Sequence, residues 1–528
     1  MIKGTVTVAA ALAVLVSLPG SVLAAPKRVP PTEILSSVAL GNVKVGVSPR
    51  DEAIVVGDID NGASDPTLVA RVRGSGGRLS VAQELSRTGN AEVPRDIEFN
   101  AGGDTFLSWG IATGRSPGER SFRKAGGLFS VPMPWPEGSC TRLSSVRFTA
   151  DGLPEVACSA TLSSGAARDT AISVTGSTSE GVLFGLPTTL QPAVNFGFLT
   201  PHLDIGPDGT RAVAWRVDEG SGPGQAQKVK FAVAPPGGPF GSTQQAASVL
   251  LSTGGFAELG GISVLADGRV AILYERSGGG PPQPHVLIRK PDGTLVDLPL
   301  PTTTAQGRIS IVRDGTGALV LWAEDSGFAT PVTFKVGSLV GDSIPDSSIQ
   351  TLDNGVSGMT QTGDLLVAPN GAAAFARRLS VAGDQVLGAW VRPARGRPFA
   401  GPFTIGSEDS ISSFSAALDK HGSLSAAWIR DETVDKVFFG GLDAAGPSLS
   451  RLAMPARLRA GRAGRFSVSA TDPAGVKAVK WSFGDRKSAT GGRVGHSFAR
   501  PGRYRVTVTA TDEAGQSTKA SRVVAVGR

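Results

Sequence analysis

The sequence contains few of the residues that commonly build metal sites or serve as nucleophiles. Its 528 residues include only two cysteines, four histidines and two tyrosines. A structural zinc site needs a close set of Cys or His ligands. The histidines are scattered along the chain, at His202, His285, His421 and His496. The sequence therefore predicts no metal ligands and no cofactor.

Motifs for nucleophilic catalysis and phosphate binding are also missing. No Gly-x-Ser-x-Gly sequence stands between a predicted strand and a predicted helix, as a hydrolase nucleophile would require. The glycine-rich segments 74–77 and 278–281 lack the lysine and the helix of a phosphate-binding loop. We interpret both segments as loops.

The sequence also lacks a convincing set of residues for glycosidase chemistry. A sialidase-type site needs an arginine cluster and a Tyr–Glu pair, but Tyr274 and Glu275 are adjacent and would point to opposite faces of a strand. Tyr504 belongs to the C-terminal region. Two carboxylate pairs remain, Asp314 with Asp325 and Asp431 with Glu432. Charged residues in loops are, however, usually solvated and have no catalytic role. We predict no catalytic residue and favour a protein without enzymatic activity.

Long apolar runs are limited to one segment, residues 6–18, near the N-terminus. This run is shorter than the ~20 residues that span a bilayer. Lys3 precedes it, and the small residues of Val22-Leu23-Ala24 follow it, as in a signal peptide cleaved after Ala24. The alternative is an uncleaved anchor. We expect residues 1–24 to be removed and the mature protein to be secreted or loosely associated with the cell surface.

The two cysteines, Cys140 and Cys158, flank a predicted hairpin. Cysteine pairs in exported proteins tend to be oxidised. We therefore predict a disulfide between them, with two free buried thiols as the alternative.

Glycine and proline, by contrast, are abundant, at 70 and 36 residues, which is typical of many turns joining short strands. Residues 202–215 show the recurring unit: a strand, the type I turn Gly206-Pro207-Asp208-Gly209, and a return strand ending on an aromatic residue. Similar turns recur at Gly102-Gly103, Asp151-Gly152, Asp267-Gly268, Asp314-Gly315, Asn370-Gly371 and His421-Gly422, and more weakly at Pro49-Arg50. The seven stronger turns are 47 to 59 residues apart.

A period of roughly 50 residues with several strands and no helical segment is typical of β-propeller blades. We predict a seven- or eight-bladed β-propeller over residues 41–447, preceded by a linker over 25–40. The alternative is two or more β-sandwiches in series. An aromatic residue falls six positions after the turn glycine in four copies, at Trp109, Trp215, Tyr274 and Trp428. We expect these side chains to pack between blades.

The C-terminal 80 residues carry more specific motifs. They contain Trp481-Ser482-Phe483-Gly484-Asp485, followed by His496-Ser497-Phe498 and by Pro501-Gly502-Arg503-Tyr504. This segment resembles a polycystic-kidney-disease (PKD) domain, which implies an immunoglobulin-like β-sandwich over residues 448–528. Arg486 departs from the pattern, because such domains usually have Gly after the Asp. The repeat body is similar, more loosely, to exported bacterial β-propeller repeat proteins.

The resemblance implies structural roles for the motif residues. Trp481 and Phe483 alternate as inward-facing core residues, and Asp485 accepts backbone N–H bonds in a turn. A PKD domain implies an interaction or spacer module and no catalysis. The predicted fold class is therefore all-β, a β-propeller followed by an immunoglobulin-like sandwich.

Charge is divided unevenly between these two parts. Residues 449–528 hold 16 Lys and Arg against 4 Asp and Glu, a net charge of +12, and the rest of the chain has a net charge of −5. A basic domain can bind an anionic polymer by Coulomb attraction; docking on its own acidic neighbour and a genome-wide arginine bias are the alternatives. We predict an extracellular protein that binds protein or carbohydrate on the propeller face and an anionic wall or matrix polymer through 449–528. A secreted glycan- or peptide-degrading hydrolase is the alternative function.

Overall fold

The computed structural model describes most of the chain. The described residues are 26–37, 40–59, 67–75, 77–86, 92–111, 118–135, 142–164, 167–179, 183–195, 201–300, 309–324, 332–356, 363–381, 384–408, 411–472 and 475–528. They form β-strands and three single-turn 3₁₀ helices, Gly222–Gly224, Leu251–Thr253 and Asp346–Ser348. No helix within these ranges has the length and apolar character needed to cross a membrane. The predicted all-β class is confirmed.

The first strand, β1 (Lys27–Ser37), precedes a series of small antiparallel sheets. Sheet 1 contains β2 (Val43–Val47), β3 (Ala53–Ile59), β4 (Thr67–Arg73) and β5 (Gln83–Glu84). Sheet 2 contains β6 (Glu92–Phe99), β7 (Thr105–Ile111), β8 (Glu119–Arg123) and β9 (Met133–Pro134). Sheet 3 contains β10 (Arg142–Phe148), β11 (Pro154–Ser164), β12 (Ala167–Ser179), β13 (Leu183–Phe184) and β14 (Thr188–Asn195).

The next three sheets repeat the same up-and-down order. Sheet 4 contains β15 (His202–Ile205), β16 (Arg211–Glu219), β17 (Ala226–Ala234) and β18 (Gln244–Leu250). Sheet 5 contains β19 (Phe256–Val264), β20 (Val270–Ser277), β21 (Gln283–Arg289) and β22 (Leu295–Pro299). Sheet 6 contains β23 (Ile309–Asp314), β24 (Gly317–Glu324), β25 (Val332–Leu339) and β26 (Gln350–Val356).

Two further sheets complete the repeat body. Sheet 7 contains β27 (Asp364–Val367), β28 (Ala373–Val381), β29 (Asp384–Arg392) and β30 (Ala400–Glu408). Sheet 8 contains β31 (Ile411–Leu418), β32 (Leu424–Arg430), β33 (Asp435–Asp443) and, as its outer strand, β1. The prediction of a linker over 25–40 is therefore wrong for Lys27–Ser37. That segment pairs with β33, because Ile34 and Leu35 are buried against Val437 and Phe439.

The first strands of these sheets contact one another in sequence. Each of β2, β6, β10, β15, β19, β23, β27 and β31 lies against the next, and β31 also lies against β2. Neighbouring sheets thus share their faces, in contrast to the isolated pairs of sheets expected for sandwiches in series.

The predicted hairpin turns are confirmed. The seven turn glycines, Gly103, Gly152, Gly209, Gly268, Gly315, Gly371 and Gly422, have φ between 68° and 93°, a region open to glycine at little cost. In the turn at 206–209, the Gly209 amide donates to Gly206 O over 2.9 Å. The weak copy also forms a hairpin, where Asp51 adopts a φ of 63°.

The recurring aromatic residues pack between sheets, as predicted. Trp109, Trp215, Tyr274 and Trp428 are each at most 1% exposed. Trp215 packs with Ala157, Ile172 and Val174 of the preceding sheet. Tyr274 likewise packs with Phe231 of sheet 4. These side chains therefore belong to apolar clusters shared by neighbouring sheets.

The C-terminal region is a two-sheet sandwich. One sheet contains β34 (Ser448–Ala453), β36 (Ala463–Thr471) and β39 (Arg493–Ser497). The other contains β35 (Arg457–Arg459), β37 (Val476–Ser482), β38 (Ser488–Thr490), β40 (Gly502–Asp512) and β41 (Ser517–Gly527). Phe466, Trp481, Phe483 and Phe498 fill its core. The short strands β34, β35 and β38 are elements that the alternation pattern did not locate.

Candidate functional site

An inner cavity of about 830 Å³ is lined by the first strands of all eight sheets. Most of the residues that line it are apolar, with Val45, Ile97 and Leu365 as examples. A smaller cavity of about 280 Å³ shares these three residues and continues toward the opposite side. The site therefore depends on every sheet, because each contributes its innermost strand.

Charged side chains gather at one place in the inner cavity. Arg147 on β10 binds Glu98 on β6, with 2.5 Å between Nη1 and Oε1. On its other side the Arg147 Nε lies 3.6 Å from Asp204 Oδ1. Arg313 on β23 lies 3.5 Å from the second oxygen of Asp204. The result is an alternating row of two arginines and two carboxylates contributed by four sheets.

Backbone contacts hold this row in position. The Arg313 guanidinium donates to the carbonyls of Ile205 and Val264 over 2.8 and 2.9 Å. Asp204 Oδ2 accepts the Val264 amide over 2.8 Å. The charged atoms are therefore fixed against strands of neighbouring sheets, which limits rearrangement when a ligand enters.

Burial alters the proton affinity of Glu98 in this row. The Glu98 side chain is 28% exposed, and it lines the inner cavity. Burial raises the pKa of Glu98 to about 7, Arg147 opposes this rise, and the neighbouring Asp96 and Asp204 add to it. Burial also raises the pKa of Asp96. Near neutral pH, Glu98 is thus divided between its acid and carboxylate forms.

His202 stays neutral beside this row. Burial and, to a lesser extent, the charge of Arg147 lower its pKa to about 4. The interaction with Glu98 raises the pKa of Arg147. The site therefore offers fixed cations and one group that can donate or accept a proton, but no positively charged histidine.

The smaller cavity carries a second set of polar residues. Lys44, Arg95, Ser310, Asp364 and Ser415 line it. Asp364 Oδ2 accepts the Ala416 amide over 2.8 Å, and burial raises the pKa of Asp364 against the opposing charge of Lys44. Charged and polar side chains therefore line both cavities.

The sequence analysis missed these residues, although the repeat contained a signal for them. Glu98, Arg147, Asp204 and Ser263 each stand five positions before their turn glycine, and all four line the inner cavity. Comparing that position between copies would have identified three charged side chains in otherwise apolar strands.

The predicted motif residues of the sandwich have structural roles. Trp481, Phe483 and Phe498 are fully buried. Asp485 accepts the Lys487 amide over 3.1 Å, as predicted, and also lies 2.8 Å from His496 Nε2. The remaining motif residues surround the turns: Gly484 has a φ of 78°, His496 stacks on Phe483, Pro501 and Gly502 are exposed, and Tyr504 donates to Arg500 O.

Both tyrosines lie away from the inner cavity. Tyr274 is buried between sheets, where it stacks on His285 and donates to Asp297 Oδ1 over 2.9 Å. Tyr504 belongs to the sandwich. The chain therefore places no tyrosine where a sialidase-type nucleophile would act.

The described members of the predicted carboxylate pairs include two, Asp314 and Glu432, that are bound by basic side chains. Asp314 is bound by Arg392 and Arg395 over 2.9 and 2.8 Å, and its partner Asp325 lies outside the described residues. Glu432 forms ion pairs with Arg430 and Lys436 at the surface. These carboxylates have structural partners.

Two processing predictions remain untested. Cys158 is fully buried on β11, but Cys140 lies outside the described residues, so the disulfide stays a prediction. Ala24 and the rest of the predicted signal peptide also lie outside them.

Among the residues that the structure describes, one group brings carboxylates close enough to share a metal ion, and it lies at the junction with the sandwich: Asp443, Asp472 and Asp512.

Comparison with solved structures gives distant similarities. A Hadza microbial sialidase is 10% identical, with a TM-score of 0.35, covering 64% of this chain and 73% of that chain. The polysaccharide lyase Uly1 is 9% identical, with a TM-score of 0.44, covering 77% and 91%. A leech intramolecular trans-sialidase is 10% identical, with a TM-score of 0.32, covering 80% and 70%. These values support no statement about the chemistry of this chain.

Sequence comparison is more specific for the C-terminal part. No curated protein sequence matches the chain. Residues 444–526 match the family model of the PKD domain. This range coincides with the two-sheet sandwich, and it includes the buried aromatic motif at Trp481 and Phe483. The C-terminal region of this protein is a PKD domain.

Proposed function

We propose that the eight sheets are the blades of a closed eight-bladed β-propeller, with the inner cavity as its central channel. The contacts from β2 through β31 and back to β2 support this arrangement. β1 would complete the last blade with a strand from the opposite end of the body. Residues 41–443 together with β1 then form one unit, and the PKD domain follows it.

We further propose that the protein acts outside the cell as a binding protein, and that its PKD domain binds an anionic polymer of wall or matrix. The predicted signal peptide supports export. The observation that carries the proposal is the surface of the PKD domain. All sixteen of its Lys and Arg residues are exposed, whereas among its described acidic residues only Glu513 is exposed.

These basic side chains are free to meet a ligand. Among the described residues of the domain, no ion pair joins one of its lysines or arginines to an acidic side chain, whereas Asp485 pairs with His496. Like charges on one domain repel one another, and a polyanion relieves that repulsion while releasing its counterions.

One sheet face concentrates this charge. Lys480 on β37 and Lys519 on β41 both stand opposite Thr509 of β40. Arg505 lies on the same face as Thr509, because side chains alternate along a strand. This outer face of the five-stranded sheet offers a flat basic surface on which an extended anionic chain can lie.

The test compares two triple variants of the full-length protein on immobilised dextran sulfate, with uncharged dextran as the blank. Lys480→Gln, Arg505→Gln and Lys519→Gln together should lower the slope of log affinity against log salt by roughly two, as expected from the loss of three charge contacts. The matched control replaces Arg50, Arg78 and Arg397, three exposed cations of the repeat body, by Gln.

Both variants have the same formal net charge. If binding depended on net charge alone, both would therefore elute from dextran sulfate at the same salt concentration. A strong loss of affinity for dextran sulfate that is confined to the PKD-domain variant supports the proposal. An equal loss of affinity in the two variants would contradict the proposal, and so would binding of the wild-type protein to uncharged dextran.

A second candidate function, a glycan- or peptide-degrading hydrolase, is favoured by Glu98. A general acid or base works best when its pKa is close to the working pH, and Glu98 has a pKa of about 7 inside the central channel. Activity found in a screen of glycan and peptide substrates should fall at least ~10²-fold in Glu98→Gln. Surface Glu432→Gln is the control. A screen without turnover, or turnover that survives Glu98→Gln, rejects this function.

A further inference from the structure

Three aspartates meet where the repeat body joins the PKD domain. Asp443 ends β33 of sheet 8, Asp472 follows β36, and Asp512 ends β40. One carboxylate oxygen from each lies within 4.8 Å of the others. Their exposed fractions are 1%, 4% and 0%. This group, the junction carboxylates, therefore includes one residue from the body and one from each sheet of the PKD domain.

The hydrogen bonds of the junction carboxylates are incomplete. Asp443 Oδ1 accepts from Ser423 Oγ and the Ala445 amide over 3.0 and 3.2 Å, and Asp512 Oδ1 accepts the Gln516 amide over 2.8 Å. The Oδ2 atoms of Asp443 and Asp512 are buried and have no hydrogen-bond partner. A buried carboxylate oxygen without a partner is costly, so these two atoms indicate a missing positive ligand.

The nearby cations compensate only part of the charge. Burial lowers the pKa of Arg73, while Asp472 and Glu513 raise it, so this guanidinium faces those two acids. The Lys27 ammonium is directed to the Gly515 carbonyl, over 2.8 Å. Asp443 and Asp512 are left close to each other within the group.

The surrounding contacts hold the donors in place. The Asp472 amide donates to Ser75 O over 2.8 Å, and the Gln516 side chain donates to Asp443 O over 3.0 Å. Backbone also approaches closely at Gly77 and Gly475, where a Cβ on Gly77 would be 3.0 Å from the Gly475 Cα. The site is thus preformed by the docking of the two parts.

We propose that the junction carboxylates bind one calcium ion, which fastens the PKD domain to the repeat body. Calcium prefers oxygen ligands at 2.3–2.6 Å, so two donors around one ion lie up to roughly 5 Å apart, and the three carboxylate oxygens, all within 4.8 Å of one another, are close enough to share one ion. Soft metals would require Cys or His. Water completes the coordination shell, as is common for calcium.

The test uses the full-length protein after treatment with EDTA. Calorimetric titration should show one calcium ion bound per chain, and saturating calcium should raise the unfolding midpoint by roughly 3 °C or more. Asp443→Asn and Asp512→Asn should abolish both effects. Glu513→Gln is the matched control, because Glu513 is an exposed carboxylate beside Asp512 and outside the group, and it should keep both.

A comparison without metal separates calcium binding from a purely structural role. Asparagine keeps the Oδ1 acceptor and removes the repulsion, so Asp443→Asn in EDTA should be at least as stable as wild type. The competing occupant is a proton shared between Asp443 and Asp512. An unfolding midpoint that changes with pH but not with calcium overturns the proposal. The absence of a measurable heat of calcium binding to the wild-type protein also overturns it.

Discussion

Positions with positive φ show how single residues shape this protein. Seven hairpins place glycine where φ lies between 68° and 93°. At Asp51 and Arg486 the backbone adopts the same conformation without glycine, with φ of 63° and 70°. Arg486 is the position at which the chain departs from the PKD pattern. The structure explains that pattern, because the turn after Asp485 requires a left-handed residue.

Arg486→Gly should therefore stabilise the PKD domain by roughly 1 kcal/mol, the approximate cost of a left-handed conformation for a residue with a Cβ. Urea unfolding of the full-length protein measures the change. Lys487→Gly is the control; Lys487 is also exposed but lies outside the positive-φ positions, so its replacement should cost about 0.5–1 kcal/mol. Equal effects at both positions would contradict this account.

At the scale of elements, β1 has the greatest effect on the body. It pairs with β33 from Lys27↔Asp443 to Ser37↔Asp435. It thereby covers an edge of sheet 8 that would otherwise expose unpaired backbone groups. Its alternation is weak in the sequence, with Pro30 and Pro31 in the middle, and the pairing shifts register on either side of Thr32. A segment with so little alternation carries no clear strand signal in the sequence.

Ile34→Ala tests the contribution of β1. Ile34 is 3% exposed and packs with Val437 and Phe439 of the partner strands, so its truncation should cost about 2–4 kcal/mol. Thr32→Ala, an exposed position on the same strand, should change stability by less than about 0.5 kcal/mol. Chemical denaturation of both variants gives the comparison. A small effect at Ile34 would show that β1 is dispensable for the body.

At the scale of the whole molecule, the eight sheets together create an interior that none of them has alone. Glu98, Arg147 and Asp204 come from three different sheets. Burial raises the pKa of Glu98, and the charge of Glu98 raises the pKa of Arg147. The PKD domain adds a surface of opposite charge to that of the body, so the two parts are suited to different partners.

The stability of the whole protein should record the ionisation of Glu98. Its folded pKa, about 7, lies above the ordinary value of 4.5, so the folded state binds the proton more tightly. Stability from this group is present below pH 4.5 and is lost as pH rises through 7. Arg147, Asp96 and Asp204 face it. Glu98→Gln cannot ionise, and its stability relative to wild type should therefore rise between pH 4.5 and 7 and then level off.

Thermal unfolding of both proteins at a series of pH values measures this difference. Glu432→Gln, a surface carboxylate paired with Arg430 and Lys436, is the control and should show no such rise. A constant difference between wild type and Glu98→Gln across this range would mean that Glu98 ionises as an ordinary carboxylate.

The sequence by itself determined the local features of this protein. The hairpin turns and the buried aromatic residues follow from turn chemistry and from alternation over a few residues, which neighbouring positions control. The PKD sandwich was indicated by the resemblance of its motif residues, which also lie close together in the sequence. Only the tertiary structure decided the partner of β1, the charged row at Arg147 and the junction carboxylates. Each of these joins residues distant in the chain, as Lys27 and Gly515 show. Their meeting depends on register and sheet packing, which no local pattern encodes.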